Sequence, residues 1–229
     1  MGRQAVRPTG LKTDYERAFI ALVPDPASLS RLAAYSTSSL ASSLDSSLAS
    51  SLDACSVSRS VCLSTVMADT AAPAARLKAT PYDPADLHMT LAFLGGINAT
   101  QVATILAELP HMAHPLPTLT CIGEAWWPNT QRPRVQVIRY GQPPALKTLF
   151  EAVQLLVMNL GLPIDSRPFR PHITLARVKA AVYDPTDNLT DRAELNAQME
   201  SIGLFCKNTQ GGPLRYRTLG RFPLGNALT

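Results

Sequence analysis

Short apolar runs closed by proline or glycine alternate in this chain with longer stretches of helical spacing. Residues 17–23 (RAFIALV) form the first run, and Pro24 and Pro26 close it, which predicts an opening strand. Further strands are expected at residues 61–68, 75–80, 118–126, 134–140, 171–178, 199–207 and 214–224. Residues 87–94 read as a clear strand with Gly95-Gly96 as its breaker. A helix should follow from Asn98, an N-cap residue type, to Leu109, with Pro110 stopping it. The strongest helical spacing spans residues 144–160. There Leu146, Leu149, Phe150, Val153, Leu156, Val157 and Leu160 keep one face apolar, and Gly161 ends the helix. Strands mixed with a few long helices indicate an α+β or α/β sheet protein.

The pattern changes after Pro26, where another helix is expected. Residues 38–45 read SSLASSLD, and residues 46–53 repeat them without a change. Leu40, Leu44, Leu48 and Leu52 recur every four residues, one slowly drifting stripe on a helix. Fifteen of the 17 serines fall between Ser28 and Ser64, so this is a local expansion. It reads as a lengthened surface helix with a loose end, inserted at about residues 36–60, and carries no chemistry. Residues 1–16 and 225–229 read as a flexible extension and a tail around a single domain.

With 229 residues, 46% apolar and 17% charged, the chain can bury one good core or two small lobes that share one. No apolar run approaches membrane-spanning length, and the first residues contain no secretory apolar core. The net charge of +4 is modest, but 16 of the 21 cations are Arg. Guanidinium groups favour phosphate, although a genome rich in G and C yields the same skew. Cys55, Cys62, Cys121 and Cys206 lack metal-ligand spacing, so reduced thiols in a cytoplasm are expected.

Candidate chemistry rests on a short sequence that occurs twice. Residues 88–92 read His-Met-Thr-Leu-Ala, and residues 172–176 read His-Ile-Thr-Leu-Ala. Alternation along a strand puts His88 and Thr90 on one face, with Met89, Leu91 and Phe93 turned into a core. His172 and Thr174 likewise share a face opposite Ile173 and Leu175. One such triplet alone is usually a half-buried histidine with a hydrogen-bonded neighbour. Its duplication suggests two similar lobes meeting at a cleft.

Imidazole titrates near pH 6.5, so one ring can take a proton while its partner gives one. Two threonine hydroxyls can donate to phosphate oxygens, and Arg177 can neutralise negative charge. In a straight strand Arg177 points away from His172, so it needs a twist, a bulge or a strand end to reach the site. These groups make up a metal-free phosphodiester site. His111 and His114 lie among prolines and read as loop surface, not as a metal site. Trp126 and Trp127 are candidates for base stacking, with core or rim as the plainer reading.

The segments His88-Met-Thr-Leu-Ala-Phe-Leu-Gly95 and Phe169-Arg-Pro-His-Ile-Thr-Leu-Ala-Arg177 resemble the paired signatures of the two-histidine phosphoesterase superfamily. Within it the chain is most similar to RNA 2′,3′-cyclic phosphodiesterases, long described as 2′-5′ RNA ligases. Arg17-Ala-Phe-Ile-Ala-Leu22, Arg132-Pro-Arg-Val135, Tyr216 and Arg221-Phe-Pro-Leu224 support the likeness. The resemblance implies an α+β fold with two pseudo-symmetric lobes around a central cleft. It also implies metal- and cofactor-independent hydrolysis of RNA 2′,3′-cyclic phosphate ends to 2′-phosphates, with ligation as the reverse. His172 would then be the base and His88 the acid, with Thr90, Thr174 and Arg177 on the phosphate. Phe19 and Arg134 fall where the family places substrate-side contacts.

The expected partners are RNA 3′ ends or cyclic-phosphate nucleotides, with no membrane, and a monomer is expected. Two alternatives stay open at this point. One is a phosphodiesterase acting on small cyclic nucleotides or 2′-5′ oligonucleotides. The other is a cleft that binds a nucleotide or RNA end without turnover.

Overall fold

The computed structural model describes residues 14–49, 78–129, 132–180 and 192–225. The strand expected at residues 61–68, most of the N-terminal extension and the end of the tail lie outside them. Strand β1 (Tyr15–Pro24) leads into helix α1 (Pro26–Ala49), followed by β2 (Lys78–Pro81) and β3 (Met89–Ile97). Helix α2 (Ala99–Met112) precedes β4 (Cys121–Trp127), β5 (Val135–Tyr140) and helix α3 (Pro144–Asn159). Strands β6 (His172–Ala180), β7 (Met199–Lys207) and β8 (Tyr216–Pro223) complete the order.

The strands form two antiparallel sheets of four, ordered β3-β1-β7-β8 and β2-β6-β5-β4. The fold is therefore α+β. Each sheet carries one copy of the repeated sequence: β6 begins at His172, whereas β3 begins at Met89 with His88 just before it. Helices α2 and α3 contact the first sheet and α1 the second. The inner positions of both sheets, among them Ile20, Leu22, Ile138, Ile173 and Leu204, belong to one apolar core.

Local sequence explains most boundaries. Asn98 caps α2, its side chain accepting from the Gln101 amide while the Gln101 side chain accepts from the Asn98 amide. Gly161 ends α3 at φ +64°, and the Gly161 and Leu162 amides donate to Met158 and Val157 carbonyls. Of the expected apolar face of α3, Leu146, Leu149, Val153, Leu156 and Val157 are buried. Phe150 and Leu160 are only partly covered.

Two boundaries differ from expectation. Gly95 and Gly96 do not break β3, because the strand stays paired to β1 through Ile97. Gly95, at φ +74°, lies within an irregular stretch of that ladder. Pro110 does not stop α2 but sits in its last turn, so His111 belongs to the helix end and His114 lies just beyond it. Both are exposed.

Helix α1 carries the serine repeat as far as Ala49. Its start is held down by side chains: Ser36 Oγ donates to the Leu175 carbonyl and Tyr35 to Glu124. Gln136, fully buried, donates to both Ser39 and Glu124. The front of the tract therefore grips the second sheet.

Candidate active site

The pairing registers decide which side chains face the cleft. On β6, His172, Thr174 and Arg177 stand opposite Arg139, Val137 and Val135 of β5. These three alternate along β5, so their three partners share one face. This is possible because Leu175 is an extra residue on β6, a β-bulge between the Thr174 and Ala176 pairs. The bulge is what Arg177 needed in order to join the histidine's side.

Strand β3 repeats the device. Thr90 pairs with Ala21, Ala92 with Ile20 and Phe93 with Phe19, which leaves Leu91 as the extra residue. Thr90 and Phe93 consequently share a face. The expectation that Phe93 turns into the core is corrected: its side chain is 64% exposed, while Met89 and Leu91 are buried. Phe93 and Arg177 hold equivalent places, each five residues after its histidine. The carbonyls of both bulged leucines find outside donors. Gln154 Nε2 donates to Leu91 at 3.0 Å, and the Tyr82 amide donates to Leu175 at 2.8 Å.

The two imidazoles are held alike. His88 Nδ1 lies 2.6 Å from the Asp86 carbonyl, and His172 Nδ1 lies 2.7 Å from the Arg170 carbonyl. A carbonyl only accepts, so Nδ1 carries the hydrogen in both rings and Nε2 is left to exchange protons. Burial lowers the pKa of both. For His88 the Asp86 carbonyl bond and carboxylate oppose that shift, and the charge of His172 adds to it. For His172 the Arg170 carbonyl opposes it. The two rings are thus near enough to sense each other's charge.

Aromatic rings enclose His88. Phe19 stacks on it with 4.7 Å between centroids, and Tyr216 meets it edge-on at 5.2 Å. Phe205 backs Phe19 at 5.5 Å. Phe19 is only 2% exposed and lies against the imidazole. On the other side Trp127 leans on His172 at 4.5 Å, while Trp126 is buried in the core. Both therefore fit the plainer reading, Trp126 in the core and Trp127 at the rim of the site.

A cavity of about 680 Å³ lies against the site. Thr90, His172 and Arg134 line it, as do Phe93, Trp127, Arg167 and Arg170. His88 and Phe19 line a separate narrow pocket of about 50 Å³ with Phe205 and Tyr216. Thr174 and Arg177 line neither. They share the face of His172, and the charge of Arg177 reaches Tyr216.

These folded features find a match among known proteins. The model of the LigT-like phosphoesterase family matches residues 62–137. The RNA 2′,3′-cyclic phosphodiesterase of Escherichia coli is 30% identical over 146 residues, covering 63% of this chain and 79% of that protein. The chain belongs to the LigT-like phosphoesterases.

Other members are similar at comparable distance. The RNA 2′,3′-cyclic phosphodiesterase of Bacillus subtilis is 28% identical over 145 residues, covering 62% of this chain and 78% of the relative. That of Geobacillus stearothermophilus is 29% identical, and the match spans only 46% of its length. The crystal structure of E. coli LigT complexed with 3′-AMP shares the fold at a TM-score of 0.57 and 22% identity. That match covers 93% of this chain and all of the other. No described helix is long and apolar enough to cross a membrane.

Several site residues escaped sequence reasoning. Asp86 and Arg170 act through backbone carbonyls, which no residue type reveals. Phe205 comes from β7, far from either repeat, and Tyr216 of β8, which the sequence offered only in support of the resemblance, meets His88 edge-on. Arg139, directly across from His172, is invisible without the register. Its Nε is buried and has no partner among the described residues.

Proposed function

We propose that this phosphoesterase hydrolyses the 2′,3′-cyclic phosphate at an RNA 3′ end to a 2′-phosphate. His172 serves as base and His88 as acid. The observation that carries this reading is the twin restraint of the imidazoles: each Nδ1–H is tied to a carbonyl, and each Nε2 is left for proton transfer. Neutral His172 takes a proton from water through Nε2 as the water oxygen bonds to phosphorus. The bond from phosphorus to O3′ breaks, and charged His88 gives its Nε2 proton to that oxygen. Exchange with solvent restores both rings.

The remaining groups have supporting roles. Thr90 and Thr174 donate to the non-bridging oxygens, and Arg177 offsets their charge. The bound anion raises the pKa of His88, which burial otherwise lowers, so substrate itself favours the charged acid. Arg134 lies on the substrate side of the cavity. The buried thiols Cys121 and Cys206 suit a reducing cytoplasm.

The test is turnover of a short RNA ending in a 2′,3′-cyclic phosphate, in EDTA, by wild type and by His88→Ala and His172→Ala. Conversion to a 2′-phosphate by wild type and loss in both variants is the expected result. Binding without turnover by wild type would mark the cleft as a binding module instead.

A further inference from the structure

The two imidazoles are held by matching backbone bonds, yet the residues that hold them differ in charge. Asp86 and Arg170 each stand two residues before a histidine and accept its Nδ1 hydrogen. Arg170 is exposed. Asp86 is only 4% exposed, a costly place for a carboxylate, which loses its hydration there.

The chain around Asp86 keeps that carboxylate inside. Residues Pro84–Asp86 form one short 3-10 turn, and Asp83 caps it by accepting from the Ala85 amide at 2.9 Å. The Asp86 amide donates to the Asp83 carbonyl at 2.9 Å. The Asp86 carboxylate accepts from the Arg215 amide, just ahead of β8, with 3.2 Å to Oδ1 and 3.1 Å to Oδ2. The Arg215 guanidinium turns elsewhere and lies over the Tyr82 ring, 4.2 Å from its centroid. Among the described residues no cation forms an ion pair with Asp86. A buried carboxylate bonded to a neutral amide still lacks a counter-charge. His88 can supply one, since it shares a narrow pocket with Asp86 and feels its charge.

The other elements packed around His88 offer no rival. Phe19 of β1 and Phe205 of β7 are uncharged, and Tyr216 of β8 has its pKa raised further by burial. The charges of Tyr82, Arg215, Asp86 and Arg177 reach Tyr216. His172 of β6 opposes a second positive charge on His88. Asp86 is thus the one charged group that favours protonated His88, and no described carboxylate does the same for His172.

We propose that Asp86 is the positioning residue that makes the twin histidines unequal: its carbonyl fixes the His88 ring, and its carboxylate, clasped by the Arg215 amide, is the counter-ion of the His88 imidazolium. His88 is thereby the acid, and His172, with no carboxylate beside it, the base. The inference rests on the cyclic phosphodiesterase reading above and deepens it.

The experiment follows wild type, Asp86→Asn and Asp86→Ala by turnover of a short RNA ending in a 2′,3′-cyclic phosphate across pH, and by NMR titration of the His88 imidazole. Asp86→Asn keeps the carbonyl and an oxygen for the Arg215 amide but loses the charge. Its His88 resonance should titrate at lower pH than in wild type, and the alkaline limb of kcat/KM should move the same way. At pH 7.5, beyond that limb, kcat/KM should fall about three- to ten-fold, the effect of moving the limb by roughly half to one pH unit. Asp86→Ala frees the Arg215 amide as well, and its kcat should lie below that of Asp86→Asn at every pH. Circular dichroism checks that each variant folds. A structural role alone would leave the limb in place. A His88 titration or a limb unchanged in Asp86→Asn would therefore overturn the proposal while leaving the cyclic phosphodiesterase intact. So would equal kcat in the two variants. If folded wild type does not turn the RNA over, the activity itself fails and the role of Asp86 with it.

Discussion

The Phe19 ring lies against the His88 imidazole, with 4.7 Å between centroids and 27° between planes. It belongs to β1, the strand next to β3, and keeps water from one side of the imidazole. Burial is the main cause of the lowered pKa of His88, so removing this ring should let the pKa rise toward 6.5. Phe19→Ala is expected to cost about 3–5 kcal/mol of stability, so Phe19→Leu is the better probe. In Phe19→Leu the imidazole resonance of His88 should titrate at higher pH than in wild type, with kcat reduced. An unchanged titration would show that Phe19 does not control the ring's solvation.

Both histidines should prove essential. Loss of either proton-transfer group is expected to lower kcat by about 10²–10⁴-fold. Full activity in either single alanine variant would remove that residue from the mechanism.

The pH–rate profile follows from the direction of the two shifts. In the free enzyme His88 must be charged and His172 neutral, and both pKa values lie below 6.5. The alkaline limb of kcat/KM belongs to His88 and should therefore fall on the acid side of neutrality. In kcat the limb should move to higher pH, because the bound phosphate anion raises the pKa of His88. A kcat/KM optimum above about pH 8 would contradict these assignments.

The same shifts act on stability. An imidazole with a folded pKa below its unfolded value of 6.5 binds fewer protons in the native state. Its contribution is fully present above 6.5 and is lost as pH falls through the folded pKa. Urea midpoints measured at pH 7.5 and pH 5 should drop more for wild type than for His88→Gln/His172→Gln. Equal drops would place the acid sensitivity in other groups.

Gly203 offers a test of the packing behind the acid. A Cβ there would lie 2.8 Å from the Gly220 carbonyl oxygen and 2.9 Å from the Phe205 ring. Phe205 backs Phe19, so the displacement passes through two rings to His88. Gly203→Ala is expected to cost about 1–3 kcal/mol, with a further loss of kcat in the folded fraction. Wild-type kcat per folded molecule would argue that the rings yield without moving His88.

Much of this was legible in the chain. The repeated pentapeptide names its own candidates, because histidine and threonine two residues apart share a face in any strand. The boundaries of β7, α3 and the start of α2 follow from apolar spacing, Gly161 and Asn98, all local signals. The place of Phe93 was not legible: simple alternation puts it in the core, and it faces the cleft.

That difference marks where sequence ends. Alternation holds only while each strand advances one residue for one in its partner, and Leu91 and Leu175 each break that count. A bulge is a property of two paired strands, so neither strand's sequence declares it. It brings Phe93 and Arg177 onto the faces of Thr90 and His172. The enclosure of His88 by Phe19, Phe205 and Tyr216 likewise needs four strands in one sheet. The chain alone determined which groups are the candidates for the chemistry. Pairing between distant strands decided which side they face, what surrounds them and how their protons are held.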